Sequence, residues 1–226
     1  KRLETLGIRF VVYDGILPDP TIDQIEAGLK ILKRERCQAI LAVGGGSPID
    51  AAKVIAARAT NKKPVSKMEG MFKVFSAPLP LFAVPTTAGT GSEATRNAVI
   101  SERGPEGYKR SFRDESMVPA DAVVDPDLLA TAPRSLIAAN GLDALTQLLE
   151  AMTSQRATPF TDALARDGLA AVRRGLLAWH ADPGGSDAPA ARSQMAYAAL
   201  LSGVCLANAG LGAVHGFASP LGAQLP

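Results

Sequence analysis

Residues 38–43 (QAILAV) form an almost wholly apolar run that stops at Gly44-Gly45-Gly46-Ser47, just before a helix-like stretch. An apolar run of this length, without polar alternation, is the pattern of a strand buried on both faces of a parallel sheet. A parallel strand must be followed by a crossover, usually a helix. Glycines at such a strand-to-helix turn let the backbone approach a ligand closely. The free N–H groups and positive end of the new helix favour an anion there. The bland alternative is a tight turn with no ligand.

The same alternation runs through the first half of the chain. Residues 9–13 (RFVVY) are rich in β-formers, and residues 21–36 carry Ile22, Ile25, Leu29 and Leu32 at helical spacing. Residues 48–59 read as helix, with Pro48 in the first turn, where a missing N–H costs nothing. Asp50, read into that same turn, complements the helix dipole. Residues 79–84 (LPLFAV) and 120–124 read as further strands. This predicts a Rossmann-like α/β part with a parallel sheet and helices on its faces. From about Pro133 the pattern is helical throughout. Leu136, Ile137, Ala144, Leu145, Leu148 and Leu149 begin it, residues 164–176 and 190–206 continue it, and residues 182–189 (DPGGSDAP) break it. The expected division is an α/β nucleotide-binding domain over residues 1–132 and a helical domain over residues 133–226.

A second loop follows the strand at 79–84. Residues 85–93 (PTTAGTGSE) concentrate hydroxyls and glycines at the end of a strand. Two such loops at the C-terminal ends of parallel strands would face one crevice, the place where open α/β sheets bind ligands. A pyrophosphate is the natural guest, although the first loop is not the GxGxxG fingerprint.

Composition narrows the function. Net charge is +2 and aromatic residues make up 5% of the 226, so nucleic acid is excluded as a partner. No apolar run approaches the roughly 18 residues of a membrane helix, and the charged N-terminus is not a signal peptide. Cys37 and Cys205 read as reduced packing residues of a cytoplasmic protein. His180, before the breaker-rich loop, reads as a helix-end residue, and the other histidine is His215. Read alone, Asp143 is either a residue near a helix start or a metal ligand, and His215 is either a core histidine or a ligand.

GGGSPID (44–50), PTTAGTGSEAT (85–95), GLDALTQLLEA (141–151), TPFTDALA (158–165) and NAGLGAVHGFASPLGA (208–223) together resemble the iron-containing (group III) alcohol dehydrogenases, in order and across the chain. The resemblance implies a dehydroquinate synthase-like architecture, and an NAD(P)-dependent oxidoreductase acting on a small alcohol or aldehyde. It implies a homo-oligomer, a dimer, with no nucleic acid or membrane partner. It also implies a βα segment before Lys1, holding the ribose-discriminating residues, and further helices beyond Pro226. Gly45, Gly46 and Ser47 would hold the NAD or NADP pyrophosphate with Asp50 nearby. Thr86, Thr87, Thr90 and Thr95 match positions lining the cofactor, and Lys109 matches a cofactor-contacting lysine. Asp143 and His215 match two ligands of an Fe²⁺ or Zn²⁺ ion. Gln147 and Ser219 stand where the family usually has histidines, which rules out an imidazole relay from position 219.

Asp143 and Gln147 are four apart and so share a helix face. A Gln carbonyl is a weaker donor than imidazole for such ions, and Gln147 is either a ligand or a hydrogen-bonder to one. An open metal position would receive the substrate oxygen. No catalytic residue beyond the metal site is indicated. Two other readings stand beside this one: a metal-independent reductase resembling maleylacetate reductase, and a nucleotide-binding protein without catalysis.

Overall fold

The computed structural model describes residues 2–68, 70, 71, 74–102 and 107–224. After a short helix α1 (Arg2–Thr5), helix α2 spans Ile22–Glu35. Thr21 caps it: its hydroxyl accepts from Gln24 N–H, and the Gln24 side chain accepts from Thr21 N–H. Its buried stripe is Ile25, Leu29 and Leu32, as the spacing predicts. Strand β1 (Ile40–Gly44) leads through Gly45 into α3 (Gly46–Thr60). Strand β2 is Gly70–Met71, β3 is Leu81–Pro85, β4 is Asn97–Glu102, β5 is Tyr108–Arg113 and β6 is Asp121–Ala122.

The parallel sheet runs β1-β3-β6, with Ala42 opposite Ala83 and Gly44 opposite Pro85. One face, Ala42, Leu81 and Ala83, packs on Ile49 and Ala52 of α3. The other face does not match the expected two-sided burial. Leu41 is 53% exposed, Val43 55% and Val123 57%. Among the described residues no helix covers that face, so the apolar run at 38–43 is buried on one side only. Residues 9–13 likewise form no strand, because a strand exists only through its neighbour and no described strand pairs with them.

A second sheet, β2-β5-β4, lies beyond the sequence reading. Its antiparallel pair β4/β5 buries Ala98, Ile100 and Phe112 against α2 and α3 residues such as Leu29 and Val54. The period-two spacing of Ala98 and Ile100, followed by a Gly-Pro turn signal at 104–105, is the pattern that marks a hairpin.

The rest is helical: α4 (Arg134–Met152), α5 (Pro159–Ala181), α6 (Ala188–Ala209) and α7 (Ala213–Gln224). Thr158 and Thr161 form a reciprocal cap on α5, with Pro159 in its first turn. Leu148, Trp179, Met195 and Cys205 centre the core of α4, α5 and α6. Each such side chain contributes about 1.5–3 kcal/mol by leaving water. Both cysteines are free, and burial pushes the Cys205 thiol up to about 11. Among the described residues no single helix is long and apolar enough to cross a membrane.

Candidate functional site

The first glycine loop opens α3 as expected, at Gly46 and so before the expected start at Pro48. Gly44 has φ of 153°, and a Cβ there would lie 2.8 Å from Pro48 Cγ. Gly45 is the N-cap and has no side chain to cap the helix. Pro48 has no N–H, so Gly46 and Ser47 carry the unmet donors of the first turn. Asp50 falls in the second turn, because the helix starts at Gly46. It therefore does not serve the dipole at the first turn.

The second loop comes back against the first. Thr86 N–H donates to Gly44 O at 2.9 Å. A Cβ on Gly45 would stand 3.1 Å from the Thr87 hydroxyl, and one on Gly46 would stand 2.8 Å from the Thr90 hydroxyl. Thr87 and Thr90 thus pack directly against Gly45 and Gly46 at the N-terminus of α3, and Thr86 is tied to the same turn through its backbone.

Gly89 and Gly91 do something else. A Cβ on Gly89 would meet Asn140 Cβ at 2.7 Å, and one on Gly91 would meet Gly203 N at 2.5 Å. Gly91 also has φ of 58°. Ser202 Oγ donates to Gly89 O at 3.2 Å. These glycines let the loop wedge between α4 and α6, so they join the two halves of the molecule. Asn140 is one turn before Asp143, which brings the crevice beside the second cluster of interest.

Asp50 and Thr95, expected beside the cofactor, are occupied internally. Asp50 Oδ1 accepts from the Ser92 hydroxyl, and Oδ2 accepts from Val99 N–H at 2.8 Å. The Thr95 hydroxyl is buried and lies 3.0 Å from Lys53 Nζ. Burial pushes the Lys53 ammonium down to about 8, against Asp50 and Glu93, and it raises the carboxyls of Asp50 and Glu93. Lys109, on β5, pairs with Asp19 at 2.6 Å and lies against α7 near Gly222.

The second cluster is on α4 and α7. Asp143 is in the middle of α4, far from its Pro133 cap, so the helix-start reading of Asp143 does not hold. His215 Nε2 lies 3.0 Å from Asp143 Oδ1. Gln147, a turn beyond Asp143 on the same face, is buried, and its Oε1 has no hydrogen-bond partner. A buried carbonyl left unpaired is costly. An amide oxygen, a carboxylate and an imidazole are donor types suited to a divalent ion. Among the described residues no group of three His, Cys, Asp or Glu is arranged to hold a metal. The side chain of Ser219 lies outside the described residues.

Glu150 is the member that sequence reading passed over. Its Oε2 lies 2.6 Å from His215 Nδ1, and its Oε1 accepts from Val214 N–H at 2.7 Å. It thus caps α7 and orients the imidazole together. Burial pushes the Glu150 carboxyl up, but the His215 bond and the backbone N–H groups of Gly212 and Val214 win, and hold it below the usual range. The bond to Asp143 raises His215 most; burial opposes this and the Glu150 bond adds to it. The available signal was spacing: Asp143, Gln147 and Glu150 recur at helical intervals on one face.

Comparison with known proteins gives consistent matches. A family model described as iron-containing alcohol dehydrogenase matches residues 1–126. One described as the C-terminal part of the Fe-containing alcohol dehydrogenase family matches residues 137–226. The chain is 42% identical over 222 residues to alcohol dehydrogenase 4 of Saccharomyces cerevisiae (strain YJM789), covering 98% of this chain and 57% of that protein. It is 36% identical to the NAD-dependent methanol dehydrogenase of Bacillus methanolicus, again covering 98% of this chain and 57% of that protein. A crystal structure of 1,3-propanediol oxidoreductase superposes with a TM-score of 0.93 at 37% identity, over 99% of this chain and 58% of that one. The chain thus spans about 57% of the length of the curated relatives it matches.

Proposed function

Because the chain belongs to the iron-containing alcohol dehydrogenase family, we propose that it serves hydride transfer between an alcohol–aldehyde pair and NAD or NADP, with Asp143, Gln147 and His215 holding Fe²⁺ or Zn²⁺. Gly45 and Gly46 let the Thr87 and Thr90 side chains close against the start of α3, where the N–H groups of Gly46 and Ser47 would receive the pyrophosphate. The Thr86, Thr87 and Thr90 hydroxyls add hydrogen bonds from the facing loop. Lys109, which pairs with Asp19, is the further cofactor-contacting residue of this reading. The NAD-dependent relative supports a nicotinamide as guest. When bound, the nicotinamide supplies the hydride chemistry and the divalent ion supplies Lewis acidity at the substrate oxygen.

The chain's own residues set up that chemistry. Glu150 fixes the His215 ring through Nδ1, which leaves Nε2 directed at Asp143 and the metal position. Asp143 brings negative charge, and Gln147 a neutral oxygen. The observation that carries this reading is the unpaired, buried Gln147 Oε1 on the face it shares with Asp143. The test is the loss of NADH or NADPH with short aldehydes, on the intact protein, before and after metal stripping and re-addition of Fe²⁺ or Zn²⁺. Turnover lost on stripping and restored by metal is the expected result. Turnover indifferent to metal would remove the metal from the reading and leave a metal-independent reductase.

A further inference from the structure

Lys53 lies on the inner face of α3, and its side chain is fully buried, 0% exposed. Its Nζ is 2.7 Å from Ser92 O, 3.0 Å from Ser92 Oγ, 3.0 Å from Thr95 Oγ1 and 2.7 Å from Asn97 O. Its three N–H donors are shared among these oxygens. Asp50 Oδ1, on the same helix, is 3.9 Å away and holds the Ser92 hydroxyl, while Oδ2 holds Val99 N–H. Everything gripped belongs to residues 92–99, the exit from the second glycine loop. The entry to that loop is held separately, by the pairing of Pro85 with Gly44 and by the bond from Thr86 N–H to Gly44 O.

Stability alone does not favour such a group. Replacing buried ionic sets with well-packed apolar residues is often neutral or stabilising. A cation surrounded by oxygens supplies direction, because each acceptor takes a set place around one nitrogen. Here the oxygens sit on the second loop and the nitrogen sits on the helix that starts at the first loop. Lys53 is therefore a second tie between the loops, at the exit of the second one, with Gly91 against Gly203 closing the opposite side.

We propose that Lys53 is a positioning residue for cofactor binding: it locks the exit of the second loop to α3, and so holds Thr87 and Thr90 across from Gly45 and Gly46. This rests on the reading that the crevice takes a nicotinamide nucleotide. Lys53 does not touch the cofactor; it acts through the loop.

The test uses the intact protein, with NADH and NADPH as probes followed by fluorescence titration. Two variants are compared with wild type: Lys53→Met, which removes the cation, and Thr95→Val, which removes one acceptor and keeps its shape. Thr95→Val carries the test should Lys53→Met fail to fold. Thr95→Val is expected to weaken nucleotide binding about fivefold, the scale of one lost hydrogen bond. The KM for the nucleotide should rise with it, while kcat at saturating nucleotide falls less than about twofold, since the lost interaction is uniform binding. Lys53→Met should weaken binding further. If Thr95→Val binds as tightly as wild type and only its melting temperature falls, Lys53 is a strut for stability and the proposal is overturned. If wild type binds neither NADH nor NADPH, the cofactor reading fails and takes this proposal with it, an outcome distinct from the first.

Discussion

Two polar clusters, one buried and one half-buried, flank the seam of this molecule, and they differ in one respect. Beneath the second loop, the named polar atoms of Lys53, Asp50, Ser92 and Thr95 all have partners. On α4 and α7, Asp143 and Glu150 are each bonded to His215, but Gln147 Oε1, one turn along α4 from Asp143, has no hydrogen-bond partner among the described residues. Both clusters draw on one helix and a segment distant in sequence. The closed one fixes backbone, as a fully satisfied network does. The open one carries an unmet acceptor, which native proteins keep where something else is to bind. We propose on this difference that the closed cluster is scaffold and the open one is site, since residue type alone does not distinguish two clusters that each hold a carboxylate and a basic group.

The contrast is most easily broken at the closed side. Gly91→Ala would place a Cβ 2.4 Å from Ala199 O, at a positive φ. Strain and overpacking together should cost about 3 kcal/mol or more. Urea unfolding measures it, and a loss below about 1 kcal/mol would show that the seam is not tightly closed there. At the open side the order of effects should reverse. Glu150→Gln is expected to weaken metal binding about 10–100-fold by freeing the His215 ring. Its loss of an α7 cap should cost only about 1 kcal/mol. Competition against a chelator reads the first quantity, and wild-type metal retention would refute the orienting role of Glu150.

The smallest effect is a slope. The folded protein holds the Lys53 ammonium at about 8, where an unfolded lysine titrates near 10.4. Between those values the unfolded chain binds more protons, so stability from this group rises with pH. That contribution is fully present above about 10.4 and is lost as pH falls through about 8. Unfolding free energy measured across this range should lose that upward slope in Lys53→Met; an unchanged slope would mean that Lys53 is not the group responsible.

Much of the fold was legible. The strand-loop-helix at residues 38–60 and the helices α4, α5 and α6 follow from local periodicity, which a sequence records directly. The family resemblance carried by the loops and by residues 141–151 and 208–223 is borne out by the two family matches and the superposition. The antiparallel pair β4/β5 was legible only in part: the spacing of Ala98 and Ile100 and the turn signal at 104–105 mark it, but each strand buries one or two side chains, and lysine and arginine in β5 hide the alternation. The pairing of Gly45 with Thr87 and Gly46 with Thr90 could be inferred in outline, as two loops at strand ends facing one crevice.

The functions of Asp50, Thr95 and Glu150 lay beyond sequence. Asp50 and Thr95 sit in cofactor-like motifs, yet Lys53, Ser92 and Val99 hold them inward. Glu150 looks like any helix carboxylate until α7 is placed across it. The sequence by itself determined the strand, turn and helix at residues 38–60 and the helices α4, α5 and α6, because backbone preference and apolar spacing act over a few residues. Only the tertiary structure decided which polar atoms find partners. That depends on groups brought together from positions 50 to 99 and from 143 to 215, across distances in the chain where no local preference operates.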